Sequence, residues 1–81
     1  DGHSVELLDG TKVWYQYGLC HRIDGPAKEW LNGSKEWYQN GKFHRLDGPA
    51  GIYSTGTKLY FINDFPYTEE EYYQELKKLI K

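Results

Sequence analysis

The sequence predicts a mainly β protein with one C-terminal helix, an α+β chain built as an antiparallel meander of three 23-residue hairpin repeats. Three observations carry this. A seven-residue phrase occurs twice, His21-Arg22-Ile23-Asp24-Gly25-Pro26-Ala27 and His44-Arg45-Leu46-Asp47-Gly48-Pro49-Ala50, the copies 23 residues apart and differing only by Ile for Leu. Around the phrase, Gly10, Gly33 and Gly56 align at the same interval, as do Lys12, Lys35 and Lys58 and the pairs Trp14-Tyr15, Trp37-Tyr38 and Tyr60-Phe61. The last stretch changes to helical spacing. A fixed period of this length marks stacked units that cannot bury a face alone.

The repeat gives three units, 1–23, 24–46 and 47–69, so that a sheet over 1–67 is followed by a capping segment over 68–81. Each unit reads as a hairpin. Asp9-Gly10 and Asn32-Gly33 suit a two-residue type I′ turn, and Ser54-Thr55-Gly56-Thr57 is a weaker version. The expected strands are 4–8 and 11–17, 27–31 and 34–39, and 50–54 and 57–62. A second turn follows each pair, at Tyr17-Gly18, Asn40-Gly41 and Asn63-Asp64, so the meander continues through the His-Arg phrase into the next unit. Asp-Gly-Pro then breaks any helix and holds the chain extended. At the end, Thr68 with Glu71 forms a capping-box pattern, with Tyr67 and Tyr72 placed as a hydrophobic staple. Glu69, Glu70 and Glu71 at the start and Lys77, Lys78 and Lys81 near the end suit the helix dipole, and Tyr72, Tyr73, Leu76, Leu79 and Ile80 repeat at helical spacing. A helix over 69–80 is expected to cap the stack.

With 81 residues, this is one small domain, and Cys20 is its single cysteine, so no internal disulfide can staple it. The staple is aromatic: Phe, Trp and Tyr make up 17 % of the chain. Cysteine usage fits a reducing, cytoplasmic setting. The net charge of −2 is dispersed and argues against a general nucleic-acid binder. No apolar run spans a membrane and Asp1-Gly2-His3 does not begin a signal peptide.

Tight turns set the expected register. Trp30 would face Lys35, and Lys28 would face Trp37, on one side of the sheet with Lys12, Trp14, Val5 and Leu7 of the first unit and Tyr53, Lys58 and Tyr60 of the third. This ring-and-lysine ladder is the candidate binding face. It has a structural reading, rings stacked under lysine stems, and a recognition reading, with Trp30 the ring most expected at the surface. The opposite side would hold Leu8, Val13, Tyr15, Ala27, Leu31 and Tyr38, Glu29 opposite Glu36, and the apolar group Ala50, Ile52, Leu59 and Phe61, where the helix would pack.

The phrase combines residues of acid–base and metal chemistry. One copy supplies one His and one carboxylate, fewer than a zinc site needs, and His3 aligns with Pro26 and Pro49 rather than with His21 and His44. Cys20 aligns with Phe43, an apolar position, and no nucleophile elbow is present. No metal or cofactor is expected. The structural role assigns Arg22 and Arg45 to Asp24, Asp47 or turn carbonyls, lets His21 and His44 cap a turn or stack on a ring, and leaves Gly25, Pro26, Gly48 and Pro49 to shape the chain.

On His21–Ala27, His44–Ala50 and Trp37-Tyr38-Gln39-Asn40-Gly41-Lys42, the whole chain resembles the His-Arg-x-Asp-Gly-Pro-Ala repeats of bacteriophage and large-virus proteins, similar in layout to MORN-type β-hairpin repeats. Asn63-Asp64-Phe65-Pro66-Tyr67-Thr68-Glu69-Glu70-Glu71 resembles the usual end of such proteins. His3-Ser4 in place of Pro-Ala and Tyr67-Thr68 in place of His-Arg depart from the pattern at the ends of the array. The resemblance implies a non-catalytic accessory protein that binds and inhibits a host protein in the host cytoplasm. Single-stranded nucleic-acid binding through rings and lysines is a second reading. A small hydrolase using His21 or His44 with Asp24 or Asp47 is a third. An open edge strand leaves both a monomer and an edge-paired homo-oligomer in play.

Overall fold

The computed structural model describes residues 3–79. Asp1 and Gly2 of the first unit, and Ile80 and Lys81 of the expected helix end, lie outside the described residues. Strands β1 (His3–Glu6), β2 (Lys12–Gln16), β3 (Leu19–Cys20), β4 (Lys28–Glu29), β5 (Lys35–Glu36), β6 (Tyr38–Gln39), β7 (Lys42–Phe43), β8 (Gly51–Ile52), β9 (Lys58–Ile62) and β10 (Phe65–Tyr67) precede helix α1 (Glu69–Leu79). The mainly β chain with one C-terminal helix is as expected. Several strands are shorter than the sequence suggested, because the hairpin loops cut them at one end and the phrase interrupts the ladder at the other. One sheet runs β1-β2-β4-β5-β8-β9-β10 with β3 also on β2, and β6-β7 forms a small second ladder. Every described pairing is antiparallel. Among the described residues, no helix is long and apolar enough to cross a membrane.

The register corrects the expected one. In the three hairpins, Leu7 donates its N–H to the Thr11 carbonyl at 2.7 Å, Trp30 to Ser34 at 3.0 Å and Tyr53 to Thr57 at 3.0 Å. Each loop therefore has three residues, not two. Only the glycine is left-handed, with φ of +90° at Gly10 and +92° at Gly33 and Gly56. Asp9 and Asn32 instead accept the N–H of Thr11 and Ser34 on Oδ1, each at 2.9 Å. That bond holds the Asp9 carboxyl below its ordinary pKa. The paired left-handed residues of a type I′ turn occur at the second turns: Tyr17-Gly18, Asn40-Gly41 and Asn63-Asp64.

One extra loop residue turns every side chain to the other face. Glu6, Lys12, Glu29, Lys35, Ile52 and Lys58 form one cross-strand row, and Val5, Val13, Lys28, Glu36, Gly51 and Leu59 form the next. The expected Glu29–Glu36 like-charge pair does not exist: Glu29 faces Lys35, and Glu36 faces Lys28. Alternation places Trp14, Trp37 and Tyr60 on the face of the first row, and Trp30, Tyr38 and Tyr53 on the face of the second.

The helix starts as its sequence dictates. Thr68 donates its N–H to Glu71 Oε1 at 3.1 Å, and Glu71 returns its N–H to Thr68 Oγ1 at 3.2 Å. It packs on the face opposite to the one expected. The main buried cluster is Tyr60, Ile62 and Tyr72, with Tyr67 and Leu76 against it, whereas Leu59 is exposed. The reason is again the register, which turns Tyr60 and Ile62 rather than Leu59 and Phe61 toward the helix. Burying the Tyr72 ring completely removes a large apolar area from water. On the other face, Tyr38, Phe43 and Phe61 form a ring row with centroids 5.2 and 4.6 Å apart.

Candidate functional site

The phrase leaves the sheet and returns to the residue it left. His21 donates its N–H to the Trp14 carbonyl at 2.9 Å, and the Trp14 N–H is donated to Ala27 at 2.8 Å. The second copy does the same on Trp37, at 3.0 Å from His44 and 2.7 Å to Ala50. The residues between form a short excursion pinned at both ends to one tryptophan. Ala27 and Ala50 are fully buried at these return points.

Arginine holds each excursion in shape. The Arg22 guanidinium lies 3.9 Å over the Trp14 ring, with Nε donating to Asp24 Oδ1 at 3.1 Å and Nη1 to the Pro26 carbonyl at 3.2 Å. Arg45 repeats this on Trp37 at 3.8 Å, with Asp47 at 2.8 Å and the Pro49 carbonyl at 3.0 Å. The planar fork and its charge suit a stack on indole with two acceptors at the rim. Glycine follows the aspartate because the guanidinium lies against its backbone: a Cβ on Gly25 would sit 3.1 Å from the Arg22 guanidinium carbon, and one on Gly48 3.0 Å from that of Arg45.

Histidine joins one unit to the next. His21 Nδ1 accepts the N–H of Asn40 at 2.9 Å, and His44 Nδ1 accepts that of Asn63 at 3.0 Å. Each bond holds the first residue of the next unit's type I′ turn, and both imidazoles are buried. An accepting Nδ1 leaves the proton on Nε2, the neutral tautomer. Burial pushes the His44 pKa below its ordinary value. The His, Arg and Asp that suggest acid–base chemistry are thus engaged with backbone, ring and one another. Among the described residues, no group of three His, Cys, Asp or Glu is placed to hold a metal. The Cys20 side chain is half-buried, and its carbonyl accepts the Gly41 N–H at 2.8 Å.

The ring-and-lysine ladder is not one surface. Lys12, Lys35 and Lys58 are exposed on the same face as Trp14 and Trp37, but their row neighbours are Glu6, Glu29 and Ile52. Trp14 and Trp37 lie beneath arginines, and Tyr60 is buried against Tyr72 at 5.0 Å. Lys28, Trp30 and Tyr53 are on the other face, and Lys28 Nζ lies 5.1 Å over the Tyr38 ring. Trp30 is half-buried beside Tyr53 and Glu36 rather than displayed. The Glu36 carboxylate accepts the hydroxyls of Tyr38, at 3.0 Å, and Tyr53. Burial, with that carboxylate beside them, raises the pKa of both phenols, so they stay protonated donors.

What the structure does bring together is the two phrases. They flank an open groove of about 520 Å³, lined by Arg22, Ile23, Asp24 and Gly25 on one side and His44, Arg45, Leu46 and Asp47 on the other, with Trp37 and Gln39 between. Ile23 is 69 % and Leu46 48 % exposed. Sequence reasoning passed over both, although they occupy the one position at which the copies differ. That difference was the available signal, since the other six positions of the phrase are identical in both copies. Comparison of the chain with protein-family models, with curated proteins and with solved structures finds no match.

Proposed function

We propose that the chain is a non-catalytic protein-binding module, and that its partner seats in the groove between the two phrases. The observation that carries this is the division of labour within each phrase. The arginine and histidine are turned onto ring and backbone to hold the loop, while an apolar residue, Ile23 or Leu46, stands at the rim beside an exposed aspartate. Exposed apolar side chains on rigid loops, beside ordered charged groups, are the usual makings of a binding hot spot. The resemblance to phage and large-virus repeats makes a host protein, bound and inhibited in the host cytoplasm, the partner class this reading favours.

Capture from a bacterial host lysate with an Ile23→Asp/Leu46→Asp variant alongside tests the reading. The wild type is expected to retain a partner that the variant loses while keeping its circular dichroism and unfolding midpoint. A partner lost instead with Lys12→Ala/Lys35→Ala, and kept by the groove variant, would move the site to the lysine row. Oligonucleotide that co-purifies and dissociates as salt is raised would replace the reading with nucleic-acid binding.

A further inference from the structure

We infer that the two ends of the repeat array are complementary, so that a second copy of this chain docks head to tail through the joint that already links the units. In the internal joints, the first strand of one unit lies along the long strand of the unit before it. Lys12 faces Glu29 and Val13 faces Lys28 at the first joint; Lys35 faces Ile52 and Glu36 faces Gly51 at the second. Leu31 also lies over the preceding glycine turn, so closely that a Cβ on Gly10 would be 2.5 Å from its Cδ1. This cover buries Thr11, and the third unit likewise buries Ser34.

The last long strand, β9, has the same berth, empty. Thr57, the counterpart of Thr11 and Ser34, is exposed. Leu59, the counterpart of the buried Val13, is 38 % exposed. β10 pairs only with residues 60–62 of β9, and a groove of about 530 Å³ lies beside Gly56, Lys58 and Leu59. The occupant that fits is presented at the other end. Among the described residues, β1 has no strand on its outer edge; Val5 and Leu7 are 45 % and 47 % exposed, and Leu8 is wholly so. Carried forward by the repeat, the internal register sets Glu6 of a second copy against Lys58, Val5 against Leu59, and Leu8 over Gly56. One charge pair and one knob on a glycine result, as at the first internal joint, and one apolar pair is added. The contact is heterologous and uses a different patch on each copy, so it propagates rather than closing by itself. Its short pairing places it among weak interfaces.

Light scattering and sedimentation velocity of the 81-residue chain from ~0.01 to ~1 mM, the range in which small interfaces assemble, test this. The weight-average mass is expected to rise with concentration past the dimer. Leu8→Asp spoils one end and Lys58→Glu the other, each at an exposed position that leaves the fold intact by circular dichroism. Either variant alone is expected to lower the association constant at least about tenfold. Mixed in equal amounts, the two retain one good end each and should form a one-to-one dimer and nothing larger. A wild type that stays monomeric throughout would overturn the inference. So would association that the equimolar mixture fails to restore, which would indicate a symmetric edge-to-edge contact.

Discussion

The two phrase loops are nearly identical in sequence and in their inner bonds, yet they differ in what lies behind them. The second is backed by the helix. The Tyr72 hydroxyl donates to the Arg45 carbonyl and accepts the Gly48 N–H at 3.2 Å, closing the loop from inside, and Gly48 is buried where Gly25 is only half-buried. The first has an additional ion pair, Arg22 Nη1 to Glu29 at 3.5 Å, which the second lacks because Ile52 occupies the equivalent position. An identical local program thus produces one joint anchored to the core and one held largely by its own contacts and partly exposed charges. Partly exposed pairs contribute little. The lesson is that a repeated motif sets its geometry locally but takes its stability from its neighbours.

The largest effect is expected from removing that anchor. Tyr72→Ala should destabilise the chain by about 3–5 kcal/mol, the cost of emptying a fully buried aromatic position. Tyr72→Phe keeps the ring but leaves the Arg45 carbonyl and the Gly48 N–H without the hydroxyl, at about 1–3 kcal/mol. Urea unfolding measures both. In the Phe variant, hydrogen exchange should quicken at Gly48 and stay unchanged at Gly25; equal loosening of both loops would remove the distinction between them.

A smaller effect separates the two glycines. Alanine at either presses its Cβ on the guanidinium at 3.0–3.1 Å, so the stack must shift by a few tenths of an ångström. Gly48→Ala should cost about 1–3 kcal/mol, the usual range for overpacking. Gly25→Ala should cost less, since Gly48 alone of the two lies at positive φ, +154°, where a side chain adds backbone strain, and the first loop can yield toward solvent. Tryptophan fluorescence, paired with the unfolding midpoints, reads both the shift of the stack and the difference in cost.

The smallest effect is a pH dependence at the second joint. Burial lowers the folded-state pKa of His44, so the unfolded chain takes up the proton first. The contribution is intact at pH 7, begins to fail as the pH falls below about 6.5, and is fully lost below the lowered folded value. His44→Gln, which keeps an acceptor without the titration, should flatten that part of the stability–pH curve. An unchanged slope would mean that His44 is not the titrating joint.

Much of this was legible in the chain. The 23-residue period is visible in the recurring phrase itself, and the placement of Arg22 and Arg45 on Asp24 and Asp47 and the capping box of Thr68 and Glu71 follow from local spacing, because their partners lie within a few residues. The candidate binding face was not legible, since it rested on the register. The register was hidden by a shared dipeptide. Asn32-Gly33 and Asn40-Gly41 read alike, yet in the first only the glycine is left-handed, while in the second Asn40 has a φ of +53° and Gly41 of +81°.

The sequence by itself determined the repeat, the helix and its start, and the inner bonds of the phrase, all short-range consequences of residue type. Only the tertiary structure decided which Asn-Gly became the tight turn. The Asn40 N–H is held by His21, 19 residues away in the chain, whereas Asn32 turns its own side chain to the Ser34 N–H. A backbone donor goes to whichever acceptor the fold brings within reach. That choice adds one residue to three loops, and with it reverses which face of the sheet meets the helix and which meets solvent.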